Sequence, residues 1–367
     1  MRSGSNKEAF LPGTEERIAV VRLSALGDII HTLPAVMRLR ESAKETALEW
    51  ITSPPADRLL QAFDVADQVH SLKIRGESFT DSLRTLRGFR RRHRDRYSMV
   101  IDFQGLIKSA LVSRMLSANV VGFHRRNLRE PVASLAYRHQ ASPWPEQEHV
   151  IYKNLHLLKV LGIEAGAVHY PPMLPKPPSD RLSDFLHEHS AGSGGFIILN
   201  VGAGWKSKTP PRELLIQVGN RLREKIPAVI LWGNAVERER AHLVSAGTGI
   251  PMAPPTDFID LIHLIRSAAV IVSADTLALH LADVVQTPSV GLFAPTSPKR
   301  NGSLLPASRA VVADIDCRYC YRRDCGRMNC MAQISADDVH NAVKEVLDAS
   351  GGKKPGAASA DATPSVR

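Results

Sequence analysis

What this 367-residue sequence lacks limits what it can be. No stretch approaches the roughly 20 apolar residues that cross a bilayer. The N-terminal MRSGSNKEAFLPGTEER has no apolar core and carries Glu8, Glu15 and Glu16, so it does not read as a secretory signal, and a cytoplasmic location is expected. Cysteine occurs four times, all between Cys317 and Cys330, and stable disulfides are disfavoured in that compartment. Aromatic residues make up only 5% of the chain. The composition is otherwise ordinary for a globular protein, 44% apolar and 23% charged, which excludes a collagen, a coiled coil and a wholly disordered chain.

What is abundant is positive charge: 47 Lys and Arg stand against 37 Asp and Glu, a net charge of +10. Up to residue 175 there are 25 basic and 18 acidic residues, and beyond it 22 and 19, so the excess is mostly N-terminal. An anionic partner is expected to meet that half. The densest run, Arg84–Arg96, holds seven arginines. It reads as a solvated helix face or as a dock for anionic lipid, a phosphorylated glycolipid included. No aromatic stacking platform accompanies it, so nucleic acid is not expected as a partner.

Strand-length apolar runs alternate with longer amphipathic stretches. Residues 17–23 (RIAVVRL) and 99–103 read as strands, and 28–42 and 106–116 as helices. Residues 169–180 (HYPPMLPKPPSD) contain five prolines and form the best linker. After it the alternation restarts: strands over 196–201, 228–232, 270–273 and 290–293, helices over 212–224, 235–246, 277–285 and 337–349. The pattern predicts two α/β domains with largely parallel sheets, 17–175 and 176–349, between loose tails at 1–16 and 350–367. Ligands bind beyond the carboxyl ends of such strands, so the natural site is the cleft between the domains.

Three strand-to-helix junctions carry the candidate chemistry. In Ser24-Ala25-Leu26-Gly27-Asp28 a glycine permits a tight turn and a carboxylate stands near a helix start, either as a cap or as a general base. In Asn200-Val201-Gly202-Ala203-Gly204-Trp205, followed by Lys206 and Lys208, the glycines allow close approach to a phosphate and lysine supplies charge. The spacing is not that of a Walker A loop. In 273–280 (SADTLALH) a strand ends in Asp275-Thr276 and a helix begins, with His280 about one turn on.

These segments resemble glycosyltransferase family 9, the ADP-heptose:lipopolysaccharide heptosyltransferases. The resemblance rests on five ordered blocks within residues 17–347: LSALGDIIHTLPAV, IDFQGLIKSAL at 101–111, Asn200–Lys208, LWGNAVERERA at 231–241 and SADTLALHLAD at 273–283. Residues 128–139 (LREPVASLAYRH) resemble the members that add the first heptose to Kdo on lipid A. The resemblance implies the GT-B fold, two Rossmann-like domains with parallel sheets facing across a cleft, and a closing helix that packs back on the N-terminal domain.

It also implies roles. Asp28 matches the catalytic base. Ser24, Gly27, Gly202, Lys208, Glu237, Asp275, Thr276, Leu277 and His280 match the donor side, with Lys208 on the phosphates and Glu237 near the ribose. Gln104, Lys108 and Arg129 fall on the acceptor side. Leu277 stands where the family usually has glycine, and is strained if that position needs a positive φ. Pro210-Pro211 replace the usual Arg-Trp-Pro, leaving Trp205 as the available stacking aromatic. The implied reaction is inverting transfer of heptose from ADP-heptose to Kdo-lipid A, at the inner face of the inner membrane and without a required cofactor.

Other readings stay open: another nucleotide sugar, a heptose acceptor, or a non-catalytic basic protein that binds a membrane surface or nucleic acid. The spacing of Cys317, Cys320, Cys325 and Cys330 permits a structural zinc, or free thiols with a packing or redox role. Asp314-Ile315-Asp316 matches the DxD pattern of cation-dependent transferases but is read as surface charge.

Overall fold

The structure is a computed structural model. It describes residues 16–73, 79–94, 96–190, 195–223, 226–326 and 329–349. The expected loose tails, apart from Glu16, lie outside the described residues. Among those residues no helix is long and apolar enough to cross a membrane. The chain divides into two compact units between Pro175 and Lys176.

The first unit runs β1 (Arg17–Val21), α1 (Leu26–Ser42), β2 (Ala47–Thr52), α2 (Ala56–Leu60), β3 (Gln68–Ser71), α3 (Phe79–His93), β4 (Met99–Asp102), α4 (Ile107–Leu116), β5 (Val120–Gly122), β6 (His139–Gln140) and α5 (Val150–Leu157). Its sheet has the order β3-β2-β1-β4-β5-β6, and every pairing is parallel. This is a doubly wound sheet whose order reverses between β1 and β4. β1 occupies the centre because Ile18, Ala19, Val20 and Val21 are apolar without interruption and fully buried, as a parallel strand covered on both faces requires.

β2 reaches the same interior despite a charge at its middle. Glu49 is fully buried, and its oxygens accept hydrogen bonds from Arg17 (2.7 Å), Arg96 (2.7 Å) and the Tyr97 hydroxyl (2.7 Å), with His70 Nε2 also at 2.7 Å. Burial works to raise its pKa, but Arg96, Tyr97, His70 and Arg17 outweigh that and bring it to about 2. The arginine-rich run is therefore divided. Arg84, Arg87, Arg90, Arg91, Arg92 and Arg94 are exposed, whereas Arg96 turns inward to this carboxylate and His93 is buried.

The second unit runs α6 (Asp180–Ser190), β7 (Ile197–Asn200), α7 (Arg212–Leu222), β8 (Ala228–Leu231), α8 (Ala235–Thr248), α9 (Phe258–Arg266), β9 (Val270–Ala274), α10 (Leu277–Val284), β10 (Ser289–Phe293), α11 (Pro298–Asn301), β11 (Arg309–Val312) and α12 (Ala336–Ala349). Its parallel sheet has the order β11-β10-β9-β7-β8, reversing between β9 and β7. The closing helix α12 packs on α7, β9, β10 and β11, so it belongs to this unit and not to the first. Its buried face explains this: Val339, Val343 and Val346 complete the core formed by Val218, Val272 and Leu292.

The proline-rich segment is tied down within each unit. Met173 bridges Phe63, and Leu174 N–H donates to Ala62 O (2.9 Å). In the second unit Ser179 caps α6 with its own N–H and hydroxyl bound to Asp260, both at 2.8 Å.

Candidate active site

In the second unit the candidate residues gather where β7 and β9 end side by side, the point of strand-order reversal at which such sheets bind ligands. The Asn200 amide donates to Ser273 Oγ (2.9 Å) and to Thr276 Oγ1 (3.2 Å), tying the end of β7 to the turn that begins α10. The chain then passes Gly202. A Cβ there would lie 2.3 Å from the Glu237 carboxyl carbon, so glycine lets the Glu237 carboxylate rest against this loop. Glu237, the third residue of α8, accepts from Gly233 N–H (2.8 Å), and its own N–H donates to the Asn234 cap (3.0 Å). Its carboxylate is thereby held at the glycine loop.

Lys206–Lys208 form a 3-10 turn. The Lys208 ammonium lies 4.5 Å from the centre of the Trp205 ring and donates to the Asp275 carbonyl (2.5 Å), with the Asp275 carboxylate at 3.4 Å. Arg323 stands 5.1 Å from the same ring, so Trp205 organises two cations. The other Asp275 oxygen meets His280 Nε2 at 3.0 Å. Burial would raise the Asp275 pKa, but the His280 hydrogen bond and the Lys208 charge hold it well below the usual carboxylate range.

The sequence reading puts Asp275 on the donor itself. In the structure its carboxylate is buried and engages Lys208 and His280. Thr276 caps α10 through its backbone, and Leu277 is the first helical residue, with no positive φ. The strain considered for leucine at that position is absent, because a helix start needs only an N–H there.

In the first unit the corresponding reversal lies between β1 and β4, and it collects a second group. Asp28 is the third residue of α1, not its cap; Ala25 occupies the cap position. Its Oδ2 accepts from Ala25 N–H (3.2 Å) and pairs with Arg22 (2.8 Å), and its side chain is 41% exposed. Arg22 is itself buried and donates to the Phe103 carbonyl. Gln104, just beyond β4, accepts from Leu23 N–H (2.7 Å), which joins the β4 turn to the β1 turn. Ser24 and Gly27, expected on the donor, sit half-buried in this same turn beside Asp28.

Below them Asp102 is fully buried. It accepts from Gln104 N–H (2.8 Å), Gly105 N–H (3.1 Å), Ser109 Oγ (2.9 Å) and the Tyr137 hydroxyl (2.8 Å). Burial raises its pKa against those donors. Lys108 is half-buried on α4, and Arg129 is exposed ahead of a 3-10 turn, Pro131–Ala136. Sequence reasoning does not single out Arg22, Asp102 or Tyr137. The available signal is a charge closing each of the apolar runs RIAVVR and MVID.

The four cysteines are free thiols, Cys317 and Cys320 exposed, Cys325 and Cys330 half-buried. Among the described residues no three of their sulfurs come within 4.8 Å of one another; the one set of three ligand atoms that does is Glu49, His70 and His93. Two arginines already occupy that carboxylate, which makes the set an ion-pair hub. The thiol segment instead supports the lysine turn. Cys330 Sγ lies 3.5 Å from the Ser207 carbonyl, and the Ser207 hydroxyl donates to the Arg322 carbonyl (2.7 Å). Burial pushes the Cys330 thiol up. Asp314 of the DxD triplet is fully exposed, with Arg318 at 3.9 Å, as surface charge would be.

Two doubly wound units, each with polar residues collected at its strand-order reversal, make up the pair of Rossmann-like domains of the GT-B fold. Known proteins agree. Lipopolysaccharide heptosyltransferase 1 of Pseudomonas aeruginosa is 29% identical over 318 residues, covering 84% of this chain and 87% of that protein. The structure of E. coli heptosyltransferase WaaC with ADP superposes with a TM-score of 0.71 at 22% identity, covering 90% of this chain and 99% of that one. A glycosyl transferase of family 9 from Veillonella parvula gives 0.73 at 16% identity, covering 91% and 97%. The family profile of glycosyltransferase family 9 (heptosyltransferase) matches residues 86–331. The chain belongs to that family.

Proposed function

We propose that this protein transfers heptose, with inversion, from ADP-heptose to Kdo of the lipid A inner core, working at the cytoplasmic face of the inner membrane. The observation that carries the reading is the Lys208–Asp275–His280 cluster at the start of α10, which fixes an ammonium beside the helix-start N–H groups. Such an arrangement suits a diphosphate that gains charge as it leaves. Glu237 accepts hydrogen bonds from the vicinal hydroxyls of the ribose.

In the first unit Asp28 takes the proton of the acceptor hydroxyl. Both of its contacts fall on Oδ2, which leaves Oδ1 as the basic oxygen. Gln104, Lys108 and Arg129 bind the anionic acceptor. The donor comes from the relatives' names and from the E. coli enzyme solved with ADP and with ADP-2-deoxy-2-fluoro heptose. Kdo comes from residues 128–139. The test is incubation with ADP-heptose and Kdo₂-lipid A, following ADP release and the mass of the acceptor. One added heptosyl unit is expected. No mass gain, or equal gain from a UDP-sugar, overturns the assignment.

A further inference from the structure

Eight large apolar side chains are exposed among the described residues, and four of them lie on two elements packed against each other. On α4 these are Ile107 (41%) and Leu111 (59%), one helical turn apart on its outer face. On the 3-10 turn Pro131–Ala136 they are Val132 (62%) and Leu135 (86%). In a 3-10 helix residues three apart eclipse, so this second pair also shares a face. The inner sides of both elements are conventionally filled, by Ala110, Val112 and Leu116 and by Ala133. The outward apolar residues are thus surplus to the core, and such concentration marks a binding surface.

The charge around them names the occupant. Residues 103–145 contain six cations, Lys108 and five arginines, against one carboxylate, Glu130. All five arginines, from Arg114 to Arg138, are exposed. Glu130 is turned onto α4, accepting from Ile107 N–H at 2.8 Å, so it does not project a free negative charge. The arginine-rich helix α3 also packs on α4. Exposed apolar side chains on elements whose sequence neighbourhood is rich in exposed cations match the boundary between anionic headgroups and acyl chains.

We propose that α4 and the Pro131–Ala136 turn form a docking surface for an anionic phospholipid bilayer, with Leu111, Val132 and Leu135 inserted and the surrounding arginines on the lipid phosphates. This deepens the proposed function by stating how an enzyme with a lipid-borne acceptor reaches it. Vesicles without acceptor test it independently of transfer, so failure here and failure of the transferase reading are distinguishable.

The experiment is co-sedimentation with phosphatidylglycerol–phosphatidylethanolamine vesicles at low salt. The full chain binds them and binds pure phosphatidylcholine vesicles at least about tenfold more weakly. Leu111→Ser/Val132→Ser/Leu135→Ser lowers binding at least about tenfold with an unchanged thermal midpoint, since these side chains contribute little to the core. Separately, Leu135→Trp gives a blue-shifted emission on anionic vesicles. Equal binding by the triple variant, equal binding to phosphatidylcholine, or an unshifted Trp emission overturns the proposal. So does a dimer that the triple variant abolishes while vesicles go unbound, which assigns the face to a second copy of the chain.

Discussion

Asp28 combines partial exposure with a guanidinium held from behind. Arg22 reaches it from a buried position and is fixed in turn by the Phe103 carbonyl. A carboxylate so placed keeps its orientation while one oxygen meets substrate. Asp28→Asn preserves the shape and removes the basicity. Turnover should fall by about 10²–10⁴-fold, the range for loss of a general base, while ADP affinity by calorimetry stays within a few-fold. Near-normal turnover would remove Asp28 from the role. The candidate residues after β1, β7 and β9 are legible because each follows a clean apolar run. Arg22 is not, because the sequence shows it only as the polar end of RIAVVRL. Nor is the inward turn of Asp275, since a strand-end aspartate looks the same whether it faces a ligand or a lysine from its own chain.

At the level of elements, the legible strands are those whose interiors are purely apolar. β2 is hidden by Glu49, which the eye takes for a surface position until Arg17, Arg96 and Tyr97 are seen to meet it. β5 and β6 are hidden by brevity, three and two residues. The turn after β4 depends on Asp102, and Tyr137 reaches it from well along the chain, a distance no periodicity reveals. Gly122 makes room for that ring: a Cβ there would fall 2.3 Å from it. Tyr137→Phe strips one donor from a buried carboxyl, and urea unfolding of the first unit should show a loss of about 1–3 kcal/mol. A change within error would show that Asp102 is satisfied by its three other donors.

For the whole molecule, mild acid should act oppositely on one buried group in each unit. In the first, burial, then the His70 and Arg96 charges, lower His93 from 6.5 to about 4. A depressed folded pKa gives stability that is complete above 6.5 and lost as pH falls through 4. Glu49 follows, its contribution declining from 4.5 toward 2. In the second unit burial raises Asp283 from 3.8 to about 6. A raised folded pKa gives stability present below 3.8 and lost as pH rises through 6. Between pH 7 and pH 5 the Asp283 contribution strengthens the second unit and the His93 contribution weakens the first, where Asp102, raised by burial, works against it. His93→Phe should therefore raise the calorimetric midpoint of the first unit at pH 5 relative to pH 7 when compared with the unaltered protein. A pH response that His93→Phe leaves unchanged would contradict the sign given to His93.

The thiol segment behind Ser207 has a consequence for any reagent aimed at it. Cys330 Sγ and the Arg322 carbonyl hold Ser207, the neighbour of Lys208 in the chain, so nucleotide bound as proposed at Lys208 would share this turn with any ligand on Cys330. Whatever factor a reversibly bound thiol ligand, such as a soft metal ion, takes from nucleotide affinity, bound nucleotide must take, by reciprocity, from the affinity of that ligand. A titration with such an ion would thus report an occupied donor site as a raised dissociation constant.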